Sequence, residues 1–364
     1  MVYRAIGLMS GSSLDGLDIV FAEFQEQGGQ WSYELIEAGC LPYSADWKTR
    51  LSGATGLSAR DYLLLHSEYG HYTGQQINAF IDQFNLHYKV AVIGSHGHTS
   101  FHLPGQKMTA QLGDGSAIAA VTQLPVVSDL RALDVAFGGQ GAPIVPIGEK
   151  LLFSGYDYFL NIGGIANISG HANAYIAFDI CPANRVLNLL AAEAGKEMDE
   201  GGAIAASGTI HHGLLGQLNA LEFYRQPWPK SLANDFGTDT VYPLIKGAGL
   251  TLADALCTYT EHIAIQTAEA VMAIQQQGKK ENSRLLVTGG GAFNDHLLQR
   301  LDAHLSQLGV TTILPDPGLI NYKEALIMAF IGVLRWRQEY NVLASVTGAT
   351  RDSIGGALWT GQEG

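Results

Sequence analysis

The stretch that most constrains the fold is residues 156–184, in which apolar segments flank a pair of glycines. Residues 158–160 are apolar, Asn161, Gly163 and Gly164 mark a turn, and the apolar chain resumes at residues 165–168. A further apolar segment, residues 177–180, contains the acid Asp179. The pattern predicts a strand, a glycine turn, a returning strand, and a third strand that ends in a carboxylate.

The glycine pair and Asp179 have a chemical interpretation and a purely structural one. Glycines in such a turn allow positive φ and let a ligand approach the backbone amides, and phosphate suits such a turn best. An Asp at the end of an apolar strand beside the turn is placed to take a proton from a nucleophile or to meet a metal. The alternative is an ordinary hairpin, with Asp179 capping a helix that begins near Pro182.

Two further stretches repeat this arrangement. Residues 4–24 read as an apolar strand, a Gly/Ser turn and a returning strand that starts near Leu17. Residues 285–288 read as a buried strand that leads through Gly289, Gly290 and Gly291 into a helix. Three loops of this kind could hold the two phosphate ends and the nucleoside of one nucleotide.

Composition narrows the class of protein. A chain of 364 residues suits about two domains of roughly 150 residues each. A net charge of −13, from 21 basic and 34 acidic residues, argues against a nucleic-acid or anionic-membrane partner and favours a small polar substrate. The 3 cysteines show no CxxC or zinc spacing, the start shows no signal sequence, and no apolar run approaches about 18 residues. We therefore expect a soluble, cytoplasmic protein with reduced thiols.

A histidine-containing motif follows a predicted strand at residues 89–94. It contains Ser95, His96, Gly97 and Thr99, and ligands bind at the carboxyl end of strands in open α/β sheets. His96 and His98 could form half of a metal site or could act as hydrogen-bonding residues.

Signals for familiar nucleotide loops are weak or missing. Gly113, Asp114 and Gly115 begin a helix but fall short of the GxGxxG pattern, because position 118 is Ile. The lysine-bearing loop GxxxxGK[ST] is absent from the sequence. Any nucleotide chemistry is therefore not of the P-loop type.

Arg131 stands at the end of a predicted strand, residues 125–130, ahead of a glycine-rich segment at residues 138–143. Its planar guanidinium could recognise a carboxylate or a phosphate, whereas pairing with Asp129 or Asp134 is the structural alternative. The segment through Pro143 and Pro146 is the predicted crossing between lobes. Glu324 opens a predicted apolar helix at residues 323–335, where a favourable charge–dipole contact is also a sufficient explanation.

The remaining chain is read as helices, strands and one loop-rich segment. A strand is predicted at residues 31–40 and another at 311–314, and residues 222–250 are predicted to be loop-rich. There Lys230 and Asp235 are candidates for nucleotide contact or for a solvated loop. Helices are predicted at residues 45–53, 58–84, 182–194, 202–221, 252–274 and 294–305.

Together these motifs resemble the 1,6-anhydro-N-acetylmuramic acid kinases, of the acetate and sugar kinase/actin superfamily. The likeness runs in order over nearly the whole chain, through residues 7–16, 95–99, 111–114, 131–143, 161–167 and 288–291. The resemblance implies an α/β fold of two ribonuclease-H-like lobes with a nucleotide cleft between them. It also implies Asp179 as the catalytic base, which activates water to open the 1,6-anhydro bridge while the freed O6 takes the γ-phosphoryl group of ATP.

The resemblance also implies ligand roles for other residues. The products are N-acetylmuramic acid 6-phosphate and ADP, in the recycling of cell-wall sugars, and Mg²⁺ bridges the phosphate oxygens. The residues predicted to bind the nucleotide are Gly11, Ser12, Ser13, Leu14, Asp15, Gly16, Leu17, Asp18, Asn161, Gly163, Gly164, Gly289, Gly290 and Gly291. Those predicted to bind the sugar are Ser95, His96, Gly97, Thr99, Asp114, Arg131 and Glu324. No protein metal ligand is predicted.

The chain departs from the family pattern at a few positions. Residues 178–184 read FDICPAN where the family usually has FDTGPGN, so that Ile180, Cys181 and Ala183 differ. His98 stands where the family has Gln, and Ile147 and Gly148 stand in place of Phe-His. Asp179 itself is retained.

We expect an N-terminal lobe at residues 1–130, a C-terminal lobe at 131–345, and a tail at 346–364 that packs back on the N-terminal lobe. The prediction is an ATP-dependent sugar kinase without a nucleic-acid or membrane partner, and a homodimer is the oligomer considered because it is the commonest one for soluble proteins. Two alternatives stay open: a kinase of another sugar, and a non-catalytic nucleotide- or sugar-binding protein of the same fold.

Overall fold

The chain forms two compact α/β units. The computed structural model describes residues 1–11, 13–171, 173–227, 230–233, 235–278 and 282–361. Unit 1 comprises Met1–Ser154 and Tyr322–Gly364, and unit 2 comprises Gly155–Asn321. These bounds differ from the lobes expected at residues 1–130 and 131–345. The chain stays in unit 1 after residue 130 because a helix that begins at Pro146 packs against the third strand, where the Tyr33 and Phe153 rings are 5.1 Å apart.

The secondary structure alternates strands and helices within each unit. The strands are β1 (Val2–Ser10), β2 (Gly16–Gln27), β3 (Gln30–Pro42), β4 (Val92–Leu103), β5 (Met108–Leu112), β6 (Val126–Ser128), β7 (Tyr158–Ile162), β8 (Ile165–His171), β9 (Tyr175–Pro182), β10 (Ser283–Thr288), β11 (Val310–Ile313) and β12 (Ala357–Trp359). The α-helices are α1 (Ala45–Ser52), α2 (Ala59–Gln83), α3 (Gly115–Thr122), α4 (Ala132–Ala136), α5 (Pro146–Leu152), α6 (Asn184–Ala192), α7 (Ala203–Ala206), α8 (His212–Asn219), α9 (Glu222–Arg225), α10 (Tyr242–Gly247), α11 (Leu252–Gln275), α12 (Asp295–Leu305), α13 (Pro317–Trp336) and α14 (Ala344–Thr347).

Unit 1 contains a mixed sheet. Within the described residues its strand order is β12-β6-β4-β1-β2-β3, and β5 pairs with β4. The first three strands form an antiparallel meander, whereas β4 runs parallel to β1 and β6 runs parallel to β4. The C-terminal strand β12 pairs with β6.

Unit 2 repeats the same topology. Its sheet has the order β11-β10-β7-β8-β9. Strands β7, β8 and β9 are an antiparallel meander, while β10 runs parallel to β7 and β11 to β10. Both units therefore carry the ribonuclease-H-like arrangement of three antiparallel strands followed by two parallel ones, which confirms the predicted fold class.

Long helices cover the sheets because their sequences combine good caps with wide apolar faces. In unit 2, α11 starts where Thr251 accepts a hydrogen bond from the Asp254 amide at 3.2 Å. Its apolar face lies in the core with residues such as Leu256, Tyr259 and Ile263, all 0% exposed. In unit 1, α2 is capped in the same way by Ser58.

Helix α13 is the most apolar long helix. Among the described helices it alone is long and apolar enough to cross a membrane by length and composition. Its apolar stretch is 72% buried inside the protein, as is usual for a core helix. In unit 1 the helix lies against β1 and β4, where a Cβ added at Gly94 would come within 2.0 Å of the Met328 carbonyl oxygen.

Several element bounds differ from the sequence-based prediction. Strand β4 continues through residues 95–103, so the histidine motif lies within the strand and not after it. The predicted helix at 202–221 is interrupted, and residues 222–250 contain α9, a π-helix at Phe236–Val241 and α10. Helix α13 starts at Pro317, so Glu324 lies in its third turn and does not open it.

Candidate active site

Two of the predicted glycine turns meet in unit 2. Strands β7 and β10 are parallel neighbours with Asn161 opposite Thr288, so both turns leave the sheet at the same edge. Gly289 has φ of +81°, and a Cβ there would lie 2.5 Å from Asn161 Oδ1. A Cβ at Gly291 would lie 2.3 Å from the Ile162 side chain. The contact between the turns therefore requires glycine, and it brings Asn161 together with Gly289–Gly291.

The residues at the beginning of α6 hydrogen-bond to the turn between β7 and β8. The backbone amides of Ala183 and Asn184 donate to the carbonyls of Gly164 and Gly163 at 2.8 and 3.0 Å. The Asn184 side chain donates to the Ile162 carbonyl at 2.9 Å. The helix has no side-chain cap, so the structural alternative in which Asp179 caps it is wrong.

Asp179 lies in a row of polar side chains that crosses three strands. Asn161 is paired with Asn167 between β7 and β8, and Asn167 is paired with Asp179 between β8 and β9. Directly opposite residues project from the same face of a sheet, and all three are half-buried. Their strand neighbours belong to the core: Leu160, Ile162, Ala166, Ile168, Phe178 and Ile180. The row thus faces away from that core.

A bulge in β9 produces this orientation. The register shifts between Ala166 and Asn167, since Ala166 pairs with Cys181 while Asn167 pairs with Asp179. Ile180 is the extra residue, and both Ile180 and Cys181 are core residues. Bulges of this kind redirect a side chain, and here the side chain beside the bulge is Asp179. Two of the departures from the family pattern, Ile180 and Cys181, are thereby accounted for as packing residues.

The Asp179 carboxylate is held by a loop that is distant in sequence. The Leu232 amide donates to Oδ2 at 2.8 Å, and the Ser231 hydroxyl donates to the same oxygen at 3.0 Å. Burial raises the pKa of Asp179 above its ordinary value, while the bonds from Leu232 and Ser231 lower it. The net direction is upward, so this carboxylate is a stronger base than an exposed one.

The first glycine turn, between β1 and β2, belongs to unit 1. Ser12, a predicted nucleotide ligand, lies outside the described residues, whereas Gly11 and Ser13 lie in the turn. Leu14 has φ of 57° and donates its amide to the Gly11 carbonyl at 3.4 Å. Asp15 ends the turn, and the remaining predicted residues, Gly16, Leu17 and Asp18, begin β2.

Asp18 is opposite Cys40 in the sheet. Burial raises its pKa to about 6, and the charges of Glu324 and Asp15 raise it too, although a hydrogen bond with Cys40 lowers it. A nearby cation would stabilise the ionised form of a carboxylate in this setting.

Among the predicted sugar-binding residues of β4, His96 contacts Arg131, which also belongs to unit 1. Arg131 Nε donates to His96 Nε2 at 2.8 Å and Nη1 donates to the Gly141 carbonyl at 3.0 Å. His96 Nδ1 contacts the Gly97 carbonyl at 2.9 Å, so Nδ1 carries the proton and Nε2 accepts. Burial and the charge of Arg131 lower the pKa of His96 to about 3, and the imidazole is neutral. Ser95 is buried beside it, and Thr99 is exposed.

Both histidines of the motif have hydrogen-bond partners within unit 1. His96 is committed to Arg131 and Gly97, and His98 Nδ1 bonds to the Ser10 hydroxyl at 3.0 Å. Ser10 in turn accepts from Tyr43 at 2.8 Å. Within the described ranges no group of three or more His, Cys, Asp or Glu side chains is placed to hold a metal ion.

Asp134 and Asp114 accept hydrogen bonds from groups other than Arg131. Asp134 accepts from the Gly141 amide at 2.8 Å and from the Thr347 hydroxyl at 2.7 Å, so it does not pair with Arg131. Asp114 caps α3 and accepts from the Ser116 amide and hydroxyl at 2.9 and 2.7 Å. Although burial raises the pKa of Asp114, the bonds from Ser116 bring it below its ordinary value. Asp114 therefore serves first as a helix cap.

Glu324 and Arg131 interact electrostatically. Burial raises the pKa of Glu324, and the charges of Lys323 and Arg131 oppose that effect. Burial lowers the pKa of Arg131 to about 10, while the charge of Glu324 raises it. Lys323 itself is buried in an ion pair with Glu149 at 2.8 Å. The predicted sugar-binding residues Arg131 and Glu324 are thus an interacting pair of opposite charges within unit 1.

Sequence reasoning missed the residues that support these groups. Ser231 and Leu232 hold Asp179 from 52 and 53 positions away along the chain. Asn167 belongs to one of the sequence motifs, but the motif does not identify it as the partner of Asp179. The strand register is the signal that could have found Asn167, whereas no periodicity points to Ser231.

Known proteins resemble this chain over nearly its full length. The profile of the anhydro-N-acetylmuramic acid kinase family matches residues 3–361. A protein of that name from Photobacterium profundum is 32% identical, over 98% of this chain and 99% of that protein. One from Azorhizobium caulinodans is 33% identical, over 98% and 99% of the two chains. Among solved structures, component A of (R)-2-hydroxyglutaryl-CoA dehydratase from Acidaminococcus fermentans is 14% identical with a TM-score of 0.45, over 91% of this chain and 97% of that one.

Proposed function

The chain belongs to the anhydro-N-acetylmuramic acid kinase family, and on that premise we propose that it phosphorylates anhydro-N-acetylmuramic acid with ATP. The products are N-acetylmuramic acid 6-phosphate and ADP. In this reaction the oxygen of water adds to C1, the C1–O6 bond breaks, and O6 attacks the γ-phosphorus while the bond between that phosphorus and the β-phosphate oxygen breaks and ADP leaves. The water must lose a proton, which calls for a base.

The observation that carries the proposal is the setting of Asp179. It is a half-buried carboxylate with a raised pKa, in a row of polar side chains that includes Asn161 of the glycine turn. Because burial raises its pKa, this carboxylate accepts a proton more readily than an exposed Asp. Asp179 takes the proton of the attacking water.

The glycine turns support the use of ATP. Gly163, Gly164 and Gly289–Gly291 keep a stretch of backbone free of side chains, which suits the oxygens of a polyphosphate. In unit 1 the second segment proposed to bind the nucleotide comprises residues 11–15, ahead of β2, together with Gly16, Leu17 and Asp18 at the start of that strand.

The residues present also fit the use of Mg²⁺. This ion usually keeps several waters and binds through one or two carboxylates together with the phosphates of the substrate. Asp18, whose pKa is raised to about 6 by burial and by the charges of Glu324 and Asp15, would gain from such a cation. Mg²⁺ would neutralise charge that develops on the phosphate oxygens.

The sugar-binding role is proposed for Ser95, His96, Gly97, Thr99, Asp114, Arg131 and Glu324. Arg131 is the centre of this group, because a guanidinium matches the lactyl carboxylate of muramic acid.

A cytoplasmic location accords with cysteines that are all free, Cys40, Cys181 and Cys257. A homodimer, the commonest soluble oligomer, stays a prediction.

Replacing Asp179 by Asn tests the proposal directly. We expect phosphorylation of anhydro-N-acetylmuramic acid to fall by about 10²–10⁴-fold, because the amide cannot accept the proton, with ATP affinity changed by no more than a few fold. Product formation and nucleotide binding are measured on the same preparation. Asp302→Asn, an exposed Asp of α12 in the same unit, is the matched control. Near-normal turnover by Asp179→Asn, or equal turnover of ordinary amino sugars by the native protein, would contradict the proposal.

A further inference from the structure

A short loop segment, Lys230–Leu232, lies against the edge of the unit 2 sheet at Asp179. Strand β9 is at the end of the strand order, so its outer side has no neighbouring strand in that sheet within the described part of the chain. The Asp179 amide donates to the Lys230 carbonyl at 3.0 Å, and the Leu232 amide donates back to the Asp179 side chain at 2.8 Å. The segment therefore contacts Asp179 through its backbone on both sides of Ser231.

The two donors of this segment meet the same carboxylate oxygen. The Ser231 hydroxyl and the Leu232 amide both donate to Oδ2, at 3.0 and 2.8 Å. Among the residues that the structure describes, no hydrogen bond ends on Oδ1. Two donors on one oxygen fix the carboxylate and leave the other oxygen as the one that can take a proton.

The segment is itself anchored to the body of unit 2. Lys230 Nζ donates to the Phe223 carbonyl at 3.3 Å and lies 4.6 Å from the centre of the Phe223 ring. The Tyr224 hydroxyl contacts His262 at 3.0 Å, and His262 contacts Asn219 at 2.6 Å. Lys230, a candidate nucleotide contact from sequence, is thus an anchor for the segment that holds Asp179.

We propose that Ser231 is a positioning residue for Asp179: its hydroxyl, with the Leu232 amide, holds Oδ2 so that Oδ1 receives the proton of the attacking water. The inference rests on the proposed function, because it requires Asp179 to be the base. Nothing in the family pattern recognised from sequence points to residue 231.

The arrangement has a consequence for the pH dependence of the reaction. Hydrogen bonds to an ionised carboxylate favour the ionised form, and here they oppose the effect of burial. Loss of the Ser231 hydroxyl therefore raises the pKa of the base. Since the base must be ionised to act, the acidic limb of the pH–rate profile moves to higher pH.

The test compares Ser231→Ala with Ser231→Thr, which keeps a hydroxyl. The control is Ser306→Ala, an exposed serine of the same unit whose hydroxyl contacts Ala303. For each protein kcat and KM are measured between about pH 5 and 9 with anhydro-N-acetylmuramic acid and ATP. We expect Ser231→Ala to shift the acidic limb upward and to lower kcat by about threefold to tenfold on the plateau, with an unchanged KM for ATP. Ser231→Thr should restore both, and Ser306→Ala should behave as the native protein.

The outcomes separate this inference from the proposed function. A uniform loss of activity at every pH, or an unmoved acidic limb in Ser231→Ala, overturns the role of Ser231 while an inactive Asp179→Asn still supports the base. An active Asp179→Asn overturns the proposed function itself. Ser231 is exposed, so we expect Ser231→Ala to fold normally, which circular dichroism and thermal unfolding check.

Discussion

Arg131 combines a structural role with the proposed recognition of the sugar. Its Nε donates a hydrogen bond to His96, and its Nη1 donates one to the Gly141 carbonyl. A guanidinium has five N–H donors, so these two bonds orient the group without exhausting it. The neutral His96, whose Nδ1 is turned to the Gly97 carbonyl, offers the lone pair that makes this orientation possible.

Arg131→Lys should weaken the binding of anhydro-N-acetylmuramic acid by about ten- to a hundredfold, because an ammonium group is a point charge without the planar fork that matches a carboxylate. The KM for ATP should barely change. Steady-state kinetics with each substrate varied in turn measure both effects. Arg60→Lys, an exposed Arg of α2, provides the control. A raised KM for ATP with an unchanged KM for the sugar would assign Arg131 to the nucleotide.

Helix α13 depends on close approach to the unit 1 sheet. A Cβ added at Gly7 of β1 would lie 1.9 Å from the Ala325 carbonyl oxygen, and one at Gly94 of β4 would lie 2.0 Å from that of Met328. These contacts are with backbone, which cannot move aside as a flexible side chain does. Because α13 also carries Glu324, the two glycines set the position of a proposed sugar-binding residue.

Gly94→Ala should lower the free energy of unfolding by about 1–3 kcal/mol or more, because the added methyl group overpacks the contact with α13. Gly39→Ala is the matched control: Gly39 also lies in a strand, β3, but a Cβ there would meet nothing within 4 Å. Urea unfolding of the two variants gives the comparison. Equal stabilities of Gly94→Ala and Gly39→Ala would mean that the close approach is not maintained in solution.

Each unit has its own hydrophobic core and repeats the same strand order. Unit 2 has a core that extends from Tyr158 to Ile320, and unit 1 has one that extends from Ile6 to Val126. The repeated meander begins each time with a strand, a turn of small residues and a returning strand. Each unit thereby carries one such turn, between β1 and β2 in unit 1 and between β7 and β8 in unit 2.

A non-hydrolysable ATP analogue with Mg²⁺ should stabilise the protein. At a concentration a hundredfold above its Kd, the gain is about 2.7 kcal/mol, which corresponds to a rise of several degrees in Tm. AMP should give a much smaller rise, because the glycine turns are proposed to hold phosphates that AMP lacks. Thermal unfolding at matched ligand concentrations tests this. Equal shifts with AMP and the analogue would show that the turns do not bind the β- and γ-phosphates.

Sequence by itself determined the features that depend on local periodicity and on backbone geometry. Apolar runs and alternation predicted strands within residues 4–24, 31–40 and 158–180, and the Gly/Ser and Gly/Gly pairs predicted the turns between strands. Duplication of that pattern indicated that both halves open in the same way, whereas the two ribonuclease-H-like lobes were implied by the family resemblance. The predicted helices at 58–84 and 252–274 agree with α2 and α11, because their capping residues and apolar spacing are local signals.

Only the tertiary structure decided which distant groups meet. Ser231 reaches Asp179 across 52 positions, Arg131 reaches His96 across 35, and Lys323 pairs with Glu149 across 174. Such pairs follow from strand register and from the packing of whole elements, and no single stretch of chain encodes them. The boundary between the units has the same origin. The chain enters unit 2 after α5 and not at residue 130, because α5 packs against β3 of unit 1.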